Sequence, residues 1–217
     1  MIRPIGVVFD LDGTLLETEK LARSCFVQAC ADVGFANIDI RVYDRCVGTT
    51  HEATEQIMRE GYGTTFPYDA MAERWSEIYR AEVETKPVPL RPGIAELLAR
   101  LHELKIAMAV ATSSRRNVVE PKLKHAEIDH YFQFSVCGGE AEYGKPHPAP
   151  YLLAVERLKL PISSCWAVED SDNGVRSAHD AGLKVFQIPD ELEPSKQIRA
   201  LGHEILPSAL DLVHRLK

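Results

Sequence analysis

The chain has 217 residues, 45% of them hydrophobic and 26% charged, with a formal net charge of −7. That length can bury a substantial core without help from disulfides, and the composition gives no case for long disorder. The acidic balance argues against a nucleic-acid binder that works by general phosphate neutralisation, because such a protein needs a basic face.

Cys25, Cys30, Cys46, Cys137 and Cys165 contain no C-x-x-C pair and no zinc-ligand spacing. They read as small buried apolar residues with free thiols in a reducing compartment. Met1-Ile2-Arg3-Pro4 leads directly into a strand-like segment, without the apolar stretch and cleavage site of a secretory signal. No apolar run is long enough to span a bilayer. The expectation is a cytoplasmic protein with neither membrane nor nucleic acid as partner.

Taken in chain order, Ile5-Gly6-Val7-Val8-Phe9 has the near-continuous apolar character of a strand buried on both faces, and it stops at Asp10-Leu11-Asp12-Gly13-Thr14. Residues 19–83 then carry helical patterns and no comparable strand. Leu21, Cys25, Ala29 and Val33 form one stripe, Ala53, Ile57 and Met58 suggest a second helix, and Met71 to Val83 a third. Thr85-Lys86-Pro87-Val88-Pro89 reads as the returning linker.

Beyond it Pro92-Gly93 opens a helix to Leu104, and Ile106 to Ala111 is a strand ending at Thr112-Ser113-Ser114. Ala149 to Leu158 is helical, Cys165 to Val168 is a strand ending at Glu169-Asp170-Ser171, and Asn173 to Ala181 is a helix stopped by Gly182. Val185 to Ile188 is a strand ending at Pro189-Asp190. Such alternation predicts an α/β fold, a Rossmann-like parallel sheet with helices on both faces, spanning 1–17 and 88–217. An inserted α-helical cap domain is expected over 18–87.

Open α/β sheets bind ligands at the carboxyl ends of their strands, and there the polar clusters fall. Four remote segments would converge: Asp10 and Asp12, then Thr112 with Ser113 and Ser114, then Lys145 from Gly144-Lys145-Pro146, then Glu169 and Asp170. Four carboxylates in one cleft resist ionisation, so Lys145 and a divalent cation are needed to hold them charged. Hard oxygen ligands and a phosphate partner describe magnesium. Each element alone has a bland reading: Asp-x-Asp-Gly as a turn, Glu169-Asp170 as a helix cap, Lys145 as a solvated lysine. His147, flanked by prolines, reads as a loop-shaping residue.

Asp10-Leu11-Asp12-Gly13-Thr14-Leu15, Thr112, Lys145-Pro146 and Glu169-Asp170-Ser171, in that order, resemble the four motifs of the haloacid dehalogenase-like hydrolase superfamily. The insertion after the first motif is similar to the cap of its β-phosphoglucomutase-like subgroup. The resemblance implies a magnesium-dependent phosphatase of a small phosphate ester, a sugar phosphate in the first instance. It makes Asp10 the nucleophile, Asp12 the general acid and base, Thr112 a phosphate ligand and Lys145 the balancing cation. It assigns the metal to Asp10, the Asp12 carbonyl and Asp170, with Glu169 a further ligand, directly or through water.

Ser113, Ser114, Arg115 and Arg116 follow Thr112 and are placed to meet the substrate, and His51 stands where the mutases of the subgroup carry a phosphate-gripping arginine. Solvated arginines opening a helix are the alternative for Arg115 and Arg116. Ala22 replaces a mutase histidine. Both departures favour a phosphatase over a sugar-phosphate mutase. A phosphoacceptor module such as a receiver domain is the alternative from another class, but it lacks a large insertion after its first strand.

Overall fold

The structure is a computed structural model that describes residues 3–47, 49 and 51–216, with His51 described in its backbone alone. The chain separates into two compact units, Met1–Glu17 with Pro87–Lys217, and Thr18–Lys86.

The first unit opens with β1 (Gly6–Phe9). The second follows with α1 (Thr18–Asp32), α2 (Ile40–Asp44), α3 (His51–Tyr62) and α4 (Tyr68–Thr85). The chain then returns through α5 (Ile94–Glu103), β2 (Ala107–Ala111), α6 (Arg116–His125) and β3 (Ser135–Val136). It continues with α7 (Ala149–Leu158), β4 (Cys165–Glu169), α8 (Asp172–Asp180) and β5 (Lys184–Gln187), and closes with α9 (Lys196–Arg199), β6 (Glu204–Ile205) and α10 (Ala209–Arg215). Among the described residues no helix is long and apolar enough to cross a membrane.

The described strands form one sheet in the order β3-β2-β1-β4-β5-β6, every pair parallel. The first four β-strands recognisable in the sequence are wholly or almost wholly buried, which is why they read as unbroken apolar runs. Alternate residues serve opposite faces. Val8, Ala109, Ala167 and Val185 pack with Tyr151, Ala154, Val155, Val175 and Ala178 of α7 and α8. On the other side α5 packs against β2 and α10 against α5, and α5 supplies the buried stripe Ile94, Leu97, Leu98 and Leu101.

The chain order is the feature that places a site. From β1 the chain builds outward through β2 and β3 on one side, and later through β4, β5 and β6 on the other. The reversal leaves a crevice at the carboxyl ends of β2, β1 and β4, where such sheets bind their ligands. The segments leaving and re-entering this unit are laced together: Leu16 bridges Leu90 antiparallel, and the Glu17 amide donates to the Pro89 carbonyl at 2.9 Å.

The helical unit has its own core of Cys25, Phe26, Ala29, Cys30, Tyr43, Met58, Phe66, Tyr68 and Met71. Aromatic rings dominate it, with Phe26 4.8 Å from Tyr43 in a tilted pair and 5.5 Å from Trp75 edge-on, by ring centroid. The sequence reading finds α1, α3 and α4 but not α2, which is five residues long and too short for a periodic stripe. All five cysteines are free and buried.

Candidate active site

Asp10 follows β1 directly, Thr112 follows β2, and Glu169 is the last residue of β4 with Asp170 next. Three adjacent strands therefore deliver their polar ends side by side. Lys145 arrives on the segment before α7, and its Nζ donates to Asp10 Oδ1 at 2.6 Å and to Glu169 Oε1 at 2.6 Å. The ammonium is 5% exposed, so it is a buried cation held between two buried carboxylates.

Glu169 is fully enclosed and all its hydrogen-bonding capacity is directed inward. Besides Lys145, Oε1 accepts from the Tyr151 hydroxyl at 2.9 Å; Oε2 accepts from the Asp170 and Ser171 amides at 3.1 and 3.2 Å and from the Ser171 hydroxyl at 3.1 Å. A side chain at Gly174 would overlap this carboxylate, so the first turn of α8 must be bare there. Ser171 caps α8 through the Gly174 amide at 3.1 Å, which leaves Asp170 free of the capping duty.

Asp170 accepts from the Thr14 hydroxyl at 2.8 Å, and its main-chain carbonyl accepts from Gln187 at 2.9 Å. Gly13 lies at φ +79°, and a Cβ there would stand 2.5 Å from Asp170 Oδ2. The glycine thus serves both the left-handed turn and the close approach of the carboxylate.

Charge is concentrated in this cluster. Burial first, and then the neighbouring Glu169 and Asp12, push the Asp10 carboxyl up to about 8, against the pull of Lys145. Asp170 is raised well above the carboxylate range by burial, then by Glu169 and Asp10. Burial works against the Lys145 ammonium, but Asp10 and Glu169 outweigh it and raise its pKa. Ligand atoms of Asp10, Glu169 and Asp170 lie within 4.8 Å of one another. One ammonium among three carboxylates leaves the site short of positive charge, and an all-oxygen donor set suits a hard divalent cation. The residues present therefore fit magnesium.

Asp12 is held from the other side. Its Oδ2 is 2.6 Å from the Ser114 hydroxyl, and its Oδ1 accepts from Lys122 Nζ at 2.5 Å. Thr112 is buried, and its hydroxyl oxygen accepts from the Ser114 amide at 3.1 Å. The structure thus brings Asp10, Asp12, Thr112, Ser114, Lys145, Glu169 and Asp170 to one crevice. Ser113 and Arg115 are exposed where the loop enters α6. Arg116 is tied to Glu140 at 2.7 Å and to the Ser135 carbonyl at 2.9 Å, a scaffold role instead of the substrate contact considered for it. Gly48, Thr50 and the His51 side chain lie outside the described residues, so the reading of His51 is not placed. His147 accepts from the Ala149 amide at 3.2 Å and shapes the entry to α7.

Lys122, Tyr151 and Gln187 escape the sequence reading, and Thr14 enters it only as part of the first motif. Lys122 does leave a trace: it falls three residues after Val119 and one before Leu123, in the apolar stripe of α6. Tyr151 likewise sits on the buried face of α7.

A family profile described as haloacid dehalogenase-like hydrolase matches residues 7–188. The chain belongs to that family. It is 33% identical over 189 residues, 84% of this chain and 80% of the other, to a Drosophila melanogaster protein named "Probable pseudouridine-5'-phosphatase". It is 26% identical, over 98% of both chains, to the "Phosphorylated carbohydrates phosphatase" of Thermotoga maritima. Among solved structures it resembles CbbY from Rhodobacter sphaeroides in complex with xylulose-(1,5)bisphosphate, at 28% identity over 96% of both chains and a TM-score of 0.77. The enzyme class of this hydrolase is that of the phosphoric monoester hydrolases.

Proposed function

We propose that this hydrolase is a magnesium-dependent phosphatase of a small phosphorylated metabolite, a sugar phosphate by preference, working through an aspartyl-phosphate on Asp10. The observation that carries the reading is the Asp10 carboxylate, 2.6 Å from the buried Lys145 ammonium and clustered with Asp170 and Glu169 at the sheet's switch point. Relatives named for pseudouridine 5'-phosphate and phosphorylated carbohydrates support the substrate class. The free thiols support a reducing, cytoplasmic setting. A helical cap over 18–87 on a core of 1–17 and 88–217, with His51 among its substrate contacts, belongs to the same proposal.

Asp10, Asp170 and the main-chain carbonyl of Asp12 would hold the magnesium, with Glu169 behind them. When bound, the ion supplies positive charge to the phosphoryl oxygens. A carboxylate oxygen of Asp10 attacks phosphorus while the bond from phosphorus to the leaving oxygen breaks, and the Asp12 carboxyl gives that oxygen its proton. The alcohol departs. Asp12, now a carboxylate, takes a proton from water; the hydroxide attacks phosphorus, the bond to Asp10 breaks, and inorganic phosphate leaves. Lys145 and the Thr112 hydroxyl donate to phosphoryl oxygens as charge redistributes, and Ser113, Ser114 and Arg115 meet the rest of the substrate.

The test is turnover of purified protein on a panel of sugar phosphates, pseudouridine 5'-phosphate, xylulose 1,5-bisphosphate and 4-nitrophenyl phosphate, with magnesium and with chelator. Release of inorganic phosphate from at least one metabolite in magnesium and none in chelator is expected. Undiminished turnover in chelator would remove the metal from the proposal.

A further inference from the structure

We infer that Lys122 is a positioning residue for the Asp12 carboxylate, acting with Ser114 to fix the direction in which that group meets the leaving oxygen. The inference rests on the reading of Asp12 as general acid and base.

The argument begins with the cost of burial. Lys122 is 1% exposed and occupies a position in the α6 stripe between Val119 and Leu123 that an apolar residue would fill at no electrostatic cost. A buried ammonium is tolerated only when paired, and a buried ion pair is a poor source of net stability compared with well-packed apolar groups. The pairing it makes is specific. Lys122 reaches across 110 positions of sequence to Asp12 Oδ1 at 2.5 Å, while Ser114 holds Oδ2 at 2.6 Å. The two oxygens are therefore gripped from two different points of the segment after β2, the loop and the body of α6. Two anchors on one carboxylate fix its rotation about Cβ–Cγ as well as its place.

That matters because Asp12 stands apart from the Lys145 cluster and is more open than the fully enclosed Glu169. Its side chain is 24% exposed. A partly open carboxylate that must face a leaving oxygen, and then water, needs orientation from its neighbours, and a small misplacement of an acid is costly in rate. Lys145 already supplies charge to the phosphoryl side, so a second buried lysine aimed at Asp12 serves the proton-transfer side.

The test compares a good and a poor leaving group. Lys122→Met keeps the length of the side chain and removes the ammonium. With the fastest sugar phosphate of the panel kcat should fall by about 10²-fold, the lower range for general acid catalysis, and with 4-nitrophenyl phosphate by less than about tenfold. In an Asp12→Asn background the Lys122→Met change should cost less than about threefold more, because its object is gone. Ser114→Ala should give the same selective pattern in milder form, and it carries the test should Lys122→Met fail to fold by thermal melting. Equal losses on both substrates, or full multiplication with Asp12→Asn, would show a purely structural lysine and overturn the inference. Selectivity in Asp12→Asn without selectivity in Lys122→Met or Ser114→Ala overturns it while sparing Asp12; absence of selectivity in Asp12→Asn itself overturns both readings.

Discussion

Asp10 and Asp12 stand two residues apart yet occupy different environments, and they should fail differently when made amides. Asp10 is buried against Lys145, while Asp12 is turned toward Ser114 and Lys122. On the proposed mechanism Asp10→Asn removes the attacking oxygen, so no phosphoenzyme should be trapped from any substrate. Asp12→Asn keeps the nucleophile and loses the proton donor and base; with an aryl phosphate it should form the intermediate slowly and accumulate it, since aryl leaving groups need the proton less. Acid-quench trapping with 4-nitrophenyl phosphate checks both. A phosphorylated Asp10→Asn protein would place the nucleophile elsewhere.

At the scale of elements, the turn after β1 carries the tightest constraint. Gly13 occupies the left-handed region and faces Asp170 at a separation that a Cβ cannot share. Gly13→Ala should cost about 1–2 kcal/mol from the backbone conformation alone. It should also push Asp170 aside and weaken magnesium activation at least tenfold, on the order of 1.4 kcal/mol in metal affinity. Denaturant melts and a magnesium titration of activity measure the two effects separately. An unchanged magnesium requirement in a destabilised protein would mean that Asp170 adjusts without loss.

The elements also show what could be read in advance. β1, β2, β4 and β5 are legible because each is sandwiched between helices and must be apolar throughout. β3 and β6 are two residues each at the sheet's edges, and Ser135-Val136 and Glu204-Ile205 have no pattern to distinguish them from loop. α6 holds Pro121 within it, a breaker that masks its periodicity, and for that reason Lys122 passes unnoticed.

For the whole molecule the acidic cluster couples stability to pH and, on the proposed reading, to metal. The Asp10 carboxyl stands at about 8 in the folded protein against an ordinary value of 3.8, so between those limits the folded state holds a proton that the unfolded chain has released. The stabilisation this gives is full below the ordinary value and is lost as pH rises through the folded one. Metal-free protein should therefore lose melting temperature from this group as pH climbs toward 8. On the proposed reading magnesium replaces the proton, so its addition should raise Tm more at pH 8 than at pH 5. Thermal scans in chelator and in magnesium at both values decide this. An equal rise at the two would show Asp10 already ionised without the metal.

The sequence by itself determined the parallel α/β class, four of the strands and the polar residues at their ends, because full burial and strand-end chemistry both leave marks along the chain. Asp10, Thr112, Glu169 and Asp170 could be named in that way, and Lys145 through its place in the order of the motifs. Only the tertiary structure decided which of these groups touch: that Lys145 bridges Asp10 and Glu169, that Tyr151 closes the far side of Glu169, and that Lys122 and Ser114 hold Asp12. Those pairings span 18 to 135 positions of sequence in the contacts given. No periodicity records them, since a buried charge is set by its partner across the fold and not by its neighbours along the chain.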